Sequence, residues 1–415
     1  MSRYINENRA QDIICGGICC VLPPAFSTLF SFFCFVATKR RIFGYFFFVF
    51  ATLLLTYLFF SYDTASRFWY TMPGKIDWSM FWVDDFLSTL TRLFRNHGAS
   101  FISVFYLYYL LIFLIWYKVF FRCCDNIPLG LSLVTLMAFG VGLRDAIDLT
   151  YYTLAVLLSL FFFTRQRGSS INIVWALLAV FLVHRGALMV VLPAIVLYYI
   201  LKKGNAIYYW LFLSLFFAST FLFDNLNLSY TGNPIVDTFL DSYGIYTSDS
   251  FFWGRRNYEI AGIAMFISFY LRTAWFVIVF ILTVIHRNSI KQKFVLAVFQ
   301  CGFTMLPNFW SYQLFTERTM VAMSFTSVLC VLMLIDSRVL KLSYLKVLAA
   351  LVFVFYCFNV FRGERLPLKS VFTPGSYSSI TSRSLYVPSI VLFDYDDFGF
   401  SDDFVLNNCT YYIDR

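Results

Sequence analysis

The sequence predicts an all-α polytopic membrane protein with about twelve transmembrane helices. Three observations carry that prediction. Hydrophobic residues fill 60% of the 415 positions, charged residues only 13%, and the mean hydropathy is +0.72, more apolar surface than a water-soluble fold needs. The apolar residues fall into runs of roughly span length, and Lys and Arg collect in the short loops between alternate runs. The 53 Phe and 28 Tyr suit broad lipid-facing surfaces with aromatic belts. In a soluble chain the net charge of +9 would suggest nucleic acid. Here the positive-inside rule accounts for much of it, so membrane lipids and no nucleic acid are the expected partners.

In order, Ile13–Ala37 reads as the first span, kinked by Pro23-Pro24. No cleavable signal peptide is evident, and the run ends in Lys39-Arg40-Arg41, which reads as cytoplasmic. Ile42–Ser61 is the second span. Tyr62–His97 is too polar to cross and reads as a short helix, a Pro73-Gly74 turn and an amphipathic helix over Trp78–Phe94 on the outer face. Phe101–Val119 and Pro128–Leu143 are the next spans. Ala206–Phe223, Glu259–Ile285, Phe294–Phe315, Thr319–Ile335 and Leu342–Phe361 are the later ones. Residues 224–258 form an outer loop that holds Tyr243, and Glu317-Arg318 reads as an outer turn. Residues 1–361 are thus expected to form the helical bundle and 362–415 an outer tail, with both termini outside.

The cysteines lie mostly in apolar runs. Cys15, Cys19 and Cys20 have loose metal-like spacing but no accompanying His or acid, so neither a metal site nor a disulfide framework is implied. The tail aspartates 394, 396, 397, 402 and 403 lack the glycine turn and terminal Glu of a calcium loop.

Between Gly140 and Leu201 the spans shorten and polar residues gather at their turns. Leu149–Thr164, Ile171–Val183 and Gly186–Leu201 would make helices of only about 20–24 Å, against a hydrocarbon core of about 30 Å. Arg144, Asp145 and Asp148 sit at one turn and His184-Arg185 at another. Ionisable groups held below the membrane surface are costly and usually face a protein-lined cavity. The plainer alternative makes Arg144 and Arg185 interfacial anchors and leaves His184 to satisfy a helix end.

Under this topology Asp63, Arg67, Tyr70, Arg144, His184, Arg185 and Arg318 all lie at or just below the outer face. Guanidinium forks suit phosphate oxygens, so the set suits chemistry on a lipid phosphate or pyrophosphate. The arginines would stabilise charge on the departing group. His184 or Asp63 could take a proton from an attacking hydroxyl. Each also has a structural reading. Asp63 could cap the second span, Tyr70 could be a belt aromatic, and Glu317 could be Arg318's partner or a helix N-terminal acid. Arg272, inside the Glu259–Ile285 span, could snorkel or line a lipid-substrate cavity. Asp84-Asp85 mimics the acidic pair of metal-using GT-C enzymes, yet suits the solvated face of an amphipathic helix.

The order Gly44, Tyr62-Asp63-Thr64, Arg67, Tyr70, then Leu143-Arg144-Asp145, Val183-His184-Arg185-Gly186-Ala187 and Glu317-Arg318 resembles the EpsG-type group of Wzy polysaccharide polymerases. The likeness runs from about Gly44 to Ile335, and the chain departs from the group at Asp145 and at Arg185-Gly186. It implies a GT-C-like bundle in a bacterial inner membrane that moves a growing glycan from undecaprenyl pyrophosphate onto a lipid-linked repeat unit at the outer face. Such an O-antigen or capsule polymerase would need no metal or other cofactor, and a chain-length regulator is the usual partner. Asp63, Arg144, His184 and Arg318 would then be catalytic, and Arg67, Tyr70, Arg185, Tyr243, Arg272 and Glu317 would contact pyrophosphate or glycan. The competing readings are a lipid-linked oligosaccharide flippase, which should show symmetric halves and broken spans, and an O-antigen ligase or other GT-C transferase.

Overall fold

The computed structural model describes residues 2–38, 40–58, 67–74, 86–124, 150–165, 170–223, 263–307, 313–341, 343, 382–392 and 401–409. Among them the chain is helical, with no β-strand. Three helices, Phe101–Cys123, Arg185–Lys203 and Arg318–Asp336, are long and apolar enough to cross a membrane, and eight shorter apolar helices accompany them. The chain divides into two compact units, residues 1–117 with 355–415, and residues 118–354.

The first unit opens with a correction. Ile13–Ala37 is not one kinked span but two antiparallel helices, α1 (Ser2–Val21) and α2 (Pro24–Thr38), reversed at Leu22-Pro23. Asp12 midway along α1 pairs with Arg40 just beyond α2; collinear helices would hold them about 40 Å apart. Pro at the start of α2 supplies a fixed φ and lacks only an N–H that the first turn leaves unused. Ser27 of α2 seals the bend, its hydroxyl donating to the Cys19 carbonyl at 2.6 Å. The first helix therefore starts at the end of the hairpin where Arg40 lies, not at the opposite end.

Helix α3 (Arg41–Leu58) packs along α2 and against α5 (Phe101–Cys123), Phe48 stacking on Phe113 and Gly44 admitting the Tyr117 ring. The amphipathic helix α4 (Phe86–Asn96) is present, and its buried side chains are Leu87, Thr91 and Arg95. One charged residue thus lies on the inward face. Arg95 donates to the Phe68 carbonyl (2.7 Å), the Thr71 hydroxyl (3.3 Å) and the Asp402 carboxylate (2.6 Å), with its guanidinium 4.5 Å from the Phe68 ring. Two short tail helices, α13 (Ser389–Leu392) and α14 (Asp402–Asn408), pack into this unit. Ser389 donates to the Leu22 carbonyl, and Tyr57 donates to that of Leu392.

The second unit holds α6 (Thr150–Arg165), α7 (Ser170–Val183), a 3-10 turn (Arg185–Ala187), α8 (Leu188–Lys203), α9 (Ala206–Phe223), α10 (Ile263–Ile285), α11 (Lys293–Met305) and α12 (Gln313–Asp336). Helix α11 is the hub, touching α6, α8, α9, α10 and α12. Its sequence is largely apolar around the helix, with Gln300 buried among the apolar residues, and nearly all of it is buried, as a central helix requires. Gly302 lets α12 come close: a Cβ there would lie 2.8 Å from Met323 Cγ and 3.6 Å from Thr319 Cγ2. Outer faces are apolar too, with Ile171, Val174, Leu192, Val196, Ile207, Leu215 and Ile281 exposed, a surface suited to lipid rather than water.

Two further boundaries differ from expectation. Helix α11 stops at Met305 rather than Phe315, because Pro307 offers no N–H and its ring opposes the carbonyl four residues back. Helix α12 already runs from Gln313, so Glu317-Arg318 is not a turn. Arg318 sits about one and a half turns inside the helix. The expected spans over 128–143 and 342–361 lie outside the described residues or nearly so, and twelve crossings are not established.

Candidate functional site

The second unit has two chemically distinct ends. At one, α6 finishes in Arg165, α8 in Lys202-Lys203 and α10 leads to Arg287. Gly204 closes α8 with φ 71°, its N–H reaching the carbonyls of Ile200 and Leu201, a left-handed cap that glycine adopts without strain. Arg122 donates to the Phe161 carbonyl at 2.8 Å, and Lys291 meets Asp336 at 3.3 Å. A concavity of about 440 Å³ at this end is lined by Phe162, Arg165, Ile171, Asn172 and Trp175.

The other end gathers His184, Gly186, Arg318 and Tyr152. It is built locally. Helix α7 ends at Val183, and His184 takes an extended backbone (φ −162°, ψ 104°) before the 3-10 turn. Its N–H still donates to the Val180 carbonyl, and its own carbonyl accepts from Ala187. The imidazole folds over this turn, Nδ1 accepting the Gly186 N–H at 3.1 Å. Only 7% of His184 is exposed. The ring of Tyr152, in the first turn of α6, meets the imidazole edge to face at 5.6 Å between centroids.

Helix α12 brings the fourth member. A Cβ on Gly186 would lie 2.9 Å from His184 Cε1, 3.1 Å from its Nδ1 and 3.3 Å from Arg318 Nη1. Imidazole and guanidinium therefore converge on a space that only glycine leaves open. Arg318 also acts electrostatically on the Tyr152 phenol. Helix α12 is held in that register by the Gly302 contact and by Trp275, whose indole donates to Ser327 at 3.0 Å.

From the cluster to Arg165 is the length of α6 or α7, about 21–24 Å. That is less than a hydrocarbon core of about 30 Å. Arg318 stands about 27 Å along α12 from Asp336 at the basic end. These groups thus occupy the end opposite the basic one and can be submerged there.

The remaining expected site residues fall elsewhere. Arg185 turns back over α7, its guanidinium 4.9 Å from the Phe181 ring, as an interfacial anchor would. Arg67 and Tyr70 belong to the first unit, on a short helix at 67–70 where Tyr70 is 66% exposed and its carbonyl accepts from Arg92. Asp63, Arg144 and Tyr243 lie outside the described residues, as do the side chains of Glu317 and Arg272. Tyr152 had not been singled out. The available signal was Thr150-Tyr151-Tyr152-Thr153, four hydroxyl side chains opening an apolar helix, all at most 2% exposed; such buried hydroxyls need partners.

Among the described residues no group of three or more His, Cys, Asp or Glu could hold a metal ion. The residues gathered here offer donors for an anion instead. No known family model, no curated protein and no solved structure matches this chain.

Proposed function

We propose that the chain is an integral glycosyltransferase that polymerises lipid-linked glycan repeat units at the outer face of a bacterial inner membrane. The observation that carries this reading is the meeting of Arg318 and His184 over Gly186, at the end of the second unit opposite its basic residues. A guanidinium beside an imidazole that packs edge-on against the Tyr152 ring suits an anionic leaving group such as a lipid pyrophosphate. In the step envisaged, the acceptor sugar hydroxyl forms a new bond to the anomeric carbon of the growing glycan. The bond from that carbon to the pyrophosphate oxygen breaks, its electron pair leaves with undecaprenyl pyrophosphate, and the hydroxyl proton passes to a base.

In this reading the molecule is a GT-C-like bundle of about a dozen crossings, with Arg144 joining the site from a segment outside the described residues and Asp63 kept as a candidate base. Arg67, Tyr70, Tyr243 and Arg272 are assigned to the glycan or its lipid carrier, and a chain-length regulator would dock on the outer loops. In this reading the arginines supply the positive charge for the leaving group, and no metal is required of the site.

Deleting the gene in its host and separating the surface glycan by length tests the proposal. Loss of a polymerase leaves single repeat units on the acceptor. Loss of a ligase leaves none, and loss of a flippase strands the lipid-linked unit inside; either of these would refute the assignment. Restoring Arg318→Ala should give single units at normal protein level, since removing one charge-stabilising donor typically costs about 100- to 1,000-fold in rate.

A further inference from the structure

We propose that the concavity in the mouth of the α6–α7 hairpin, at the basic end of the second unit, binds one anionic phospholipid, with its phosphate on Arg165 and an acyl chain along α7. The site lies about 21–24 Å from the His184 cluster, the length of either helix. Nothing in it requires the transfer reaction proposed above.

Charge comes first. Among the described residues of the second unit only two are acidic, Glu317 near the start of α12 and Asp336 at its end. Asp336, at the basic end, accepts from Lys291 at 3.3 Å. Against that one carboxylate the same end carries Arg122, Arg165, Lys202, Lys203, Arg287 and Lys293 besides. Arg122 and Arg165 stand close enough for their positive charges to oppose each other. Arg122 is already committed, donating to the Phe161 carbonyl at 2.8 Å with its guanidinium 4.2 Å from the Phe161 ring. An anion on Arg165 would relieve the repulsion.

Shape narrows the anion to a lipid. The concavity measures about 440 Å³ and is lined by Phe162, Arg165, Ile171, Asn172 and Trp175. Arg165 closes α6 and is exposed, whereas Phe162 and Trp175 sit about one turn further into the hairpin. Their rings stack, 6.5 Å between centroids and 22° between planes. A soluble anion needs the cation and has no use for the rings. A phospholipid uses both, with the guanidinium at headgroup level and the aromatic wall just below it.

The surface of α7 continues the wall. Ile171, Trp175, Leu178 and Phe181 are all exposed and recur at helical spacing on one face. They lead away from Arg165 for about 15 Å, half of a hydrocarbon core of about 30 Å, which is the depth of one leaflet. An acyl chain laid on this stripe brings its glycerol beside Phe162 and Trp175 and its phosphate to Arg165. The positive-inside rule accounts for a cation at this end but not for the ring-walled hollow next to it.

Native mass spectrometry of the full-length protein tests the site. Protein in detergent micelles is offered phosphatidylglycerol and phosphatidylcholine with identical acyl chains, and retained lipid is counted. Wild type should keep one phosphatidylglycerol in preference to phosphatidylcholine. Arg165→Ala should lower that preference about tenfold, the worth of one charge-assisted hydrogen bond, and Arg165→Lys should retain part of it. The double variant Lys202→Ala/Lys203→Ala removes two exposed charges from the same end without touching the lining of the concavity, and should stay within about twofold of wild type. Equal loss in that double variant would show a diffuse basic surface and overturn the site. So would a wild type with no preference. Displacement of the lipid by excess inorganic phosphate would overturn the lipid assignment in favour of a soluble anion.

Fluorescence gives a second readout. Phosphatidylglycerol brominated high in its acyl chain should quench the protein's tryptophans more than the matching phosphatidylcholine does, and Trp175→Phe should abolish the difference. A difference that survives Trp175→Phe would place the lipid elsewhere and contradict the proposal. This comparison still decides the question if Arg165→Ala fails to insert.

Discussion

Replacing Arg95 with alanine should free the C-terminal segment from the first unit. The Arg95 side chain is 1% exposed and its Asp402 partner 33%, so the pair is dry on one side and wet on the other. The guanidinium lies 4.5 Å from the Phe68 ring and 5.4 Å from that of Phe101, and its three hydrogen bonds end on Phe68, Thr71 and Asp402. The carboxylate in turn accepts the Phe101 N–H at 3.3 Å, tying the tail to the start of α5. Breaking a buried pair from one side typically costs about 3–5 kcal/mol. Partial solvation of Asp402 puts the expected cost of Arg95→Ala near the lower bound, about 3 kcal/mol. The assay is the alkylation rate of Cys409, which is fully buried at the end of α14, followed by mass spectrometry of its peptide. If modification requires local release of the tail, about 3 kcal/mol corresponds to roughly a 100-fold faster reaction. Asp402→Ala should accelerate it by a similar factor, and the double variant by much less than the product, because both lose one interaction. A rate within about twofold of wild type for Arg95→Ala, or strictly multiplicative effects in the double variant, would refute the view that this pair holds the tail.

Other expectations follow from the packing. With Cys19 and Cys20 changed to alanine, mild oxidation should join Cys15 to Cys34, which interact across the α1–α2 hairpin; a single kinked span would hold them about 28 Å apart, and no bond would form. Gly302→Ala should lower the melting temperature, since overpacking against Met323 costs about 1–3 kcal/mol, and should also shorten the glycan by displacing Arg318; an unchanged glycan would show that the register of α12 does not matter to the site. Tyr152→Phe keeps the edge-to-face contact and should leave glycan length nearly normal, whereas Tyr152→Ala should shorten it. Equal loss in both would mean that the phenol oxygen, not the ring, is what the site uses.

How much of this was legible in the sequence depends on what each feature rests on. Helix α9 begins and ends where the apolar run does, and α7 differs by a single residue, because polar residues flank both runs in the sequence. The α1–α2 hairpin was not legible. Its apolar run has the length of one span, and a proline pair reads equally as a kink or a reversal until the Asp12–Arg40 pair is known. Arg95 escaped notice because a charged residue on an amphipathic helix ordinarily faces solvent, and only the distant Asp402 makes its burial tolerable. At the candidate site, His184 and Arg318 stood out as ionisable residues in apolar surroundings. Their convergence on Gly186 did not, because it depends on that glycine and on the close passage of α12 over Gly302. Tyr152 was hidden by abundance: one tyrosine among 28 carries no signal by itself. Arg185 shows the opposite case, a residue adjacent to the imidazole in sequence whose side chain turns away to Phe181.

The central claim is that Arg318 and His184 jointly hold a lipid pyrophosphate while a sugar is transferred from it. Purified protein in vesicles, supplied with undecaprenyl-pyrophosphate-linked repeat unit, should release undecaprenyl pyrophosphate in step with the appearance of lipid-linked dimers. Arg318→Ala should slow both by at least about 100-fold while leaving the Cys409 alkylation rate unchanged. Dimer formation at the wild-type rate by Arg318→Ala, or wild-type protein that releases no carrier lipid, would contradict the account.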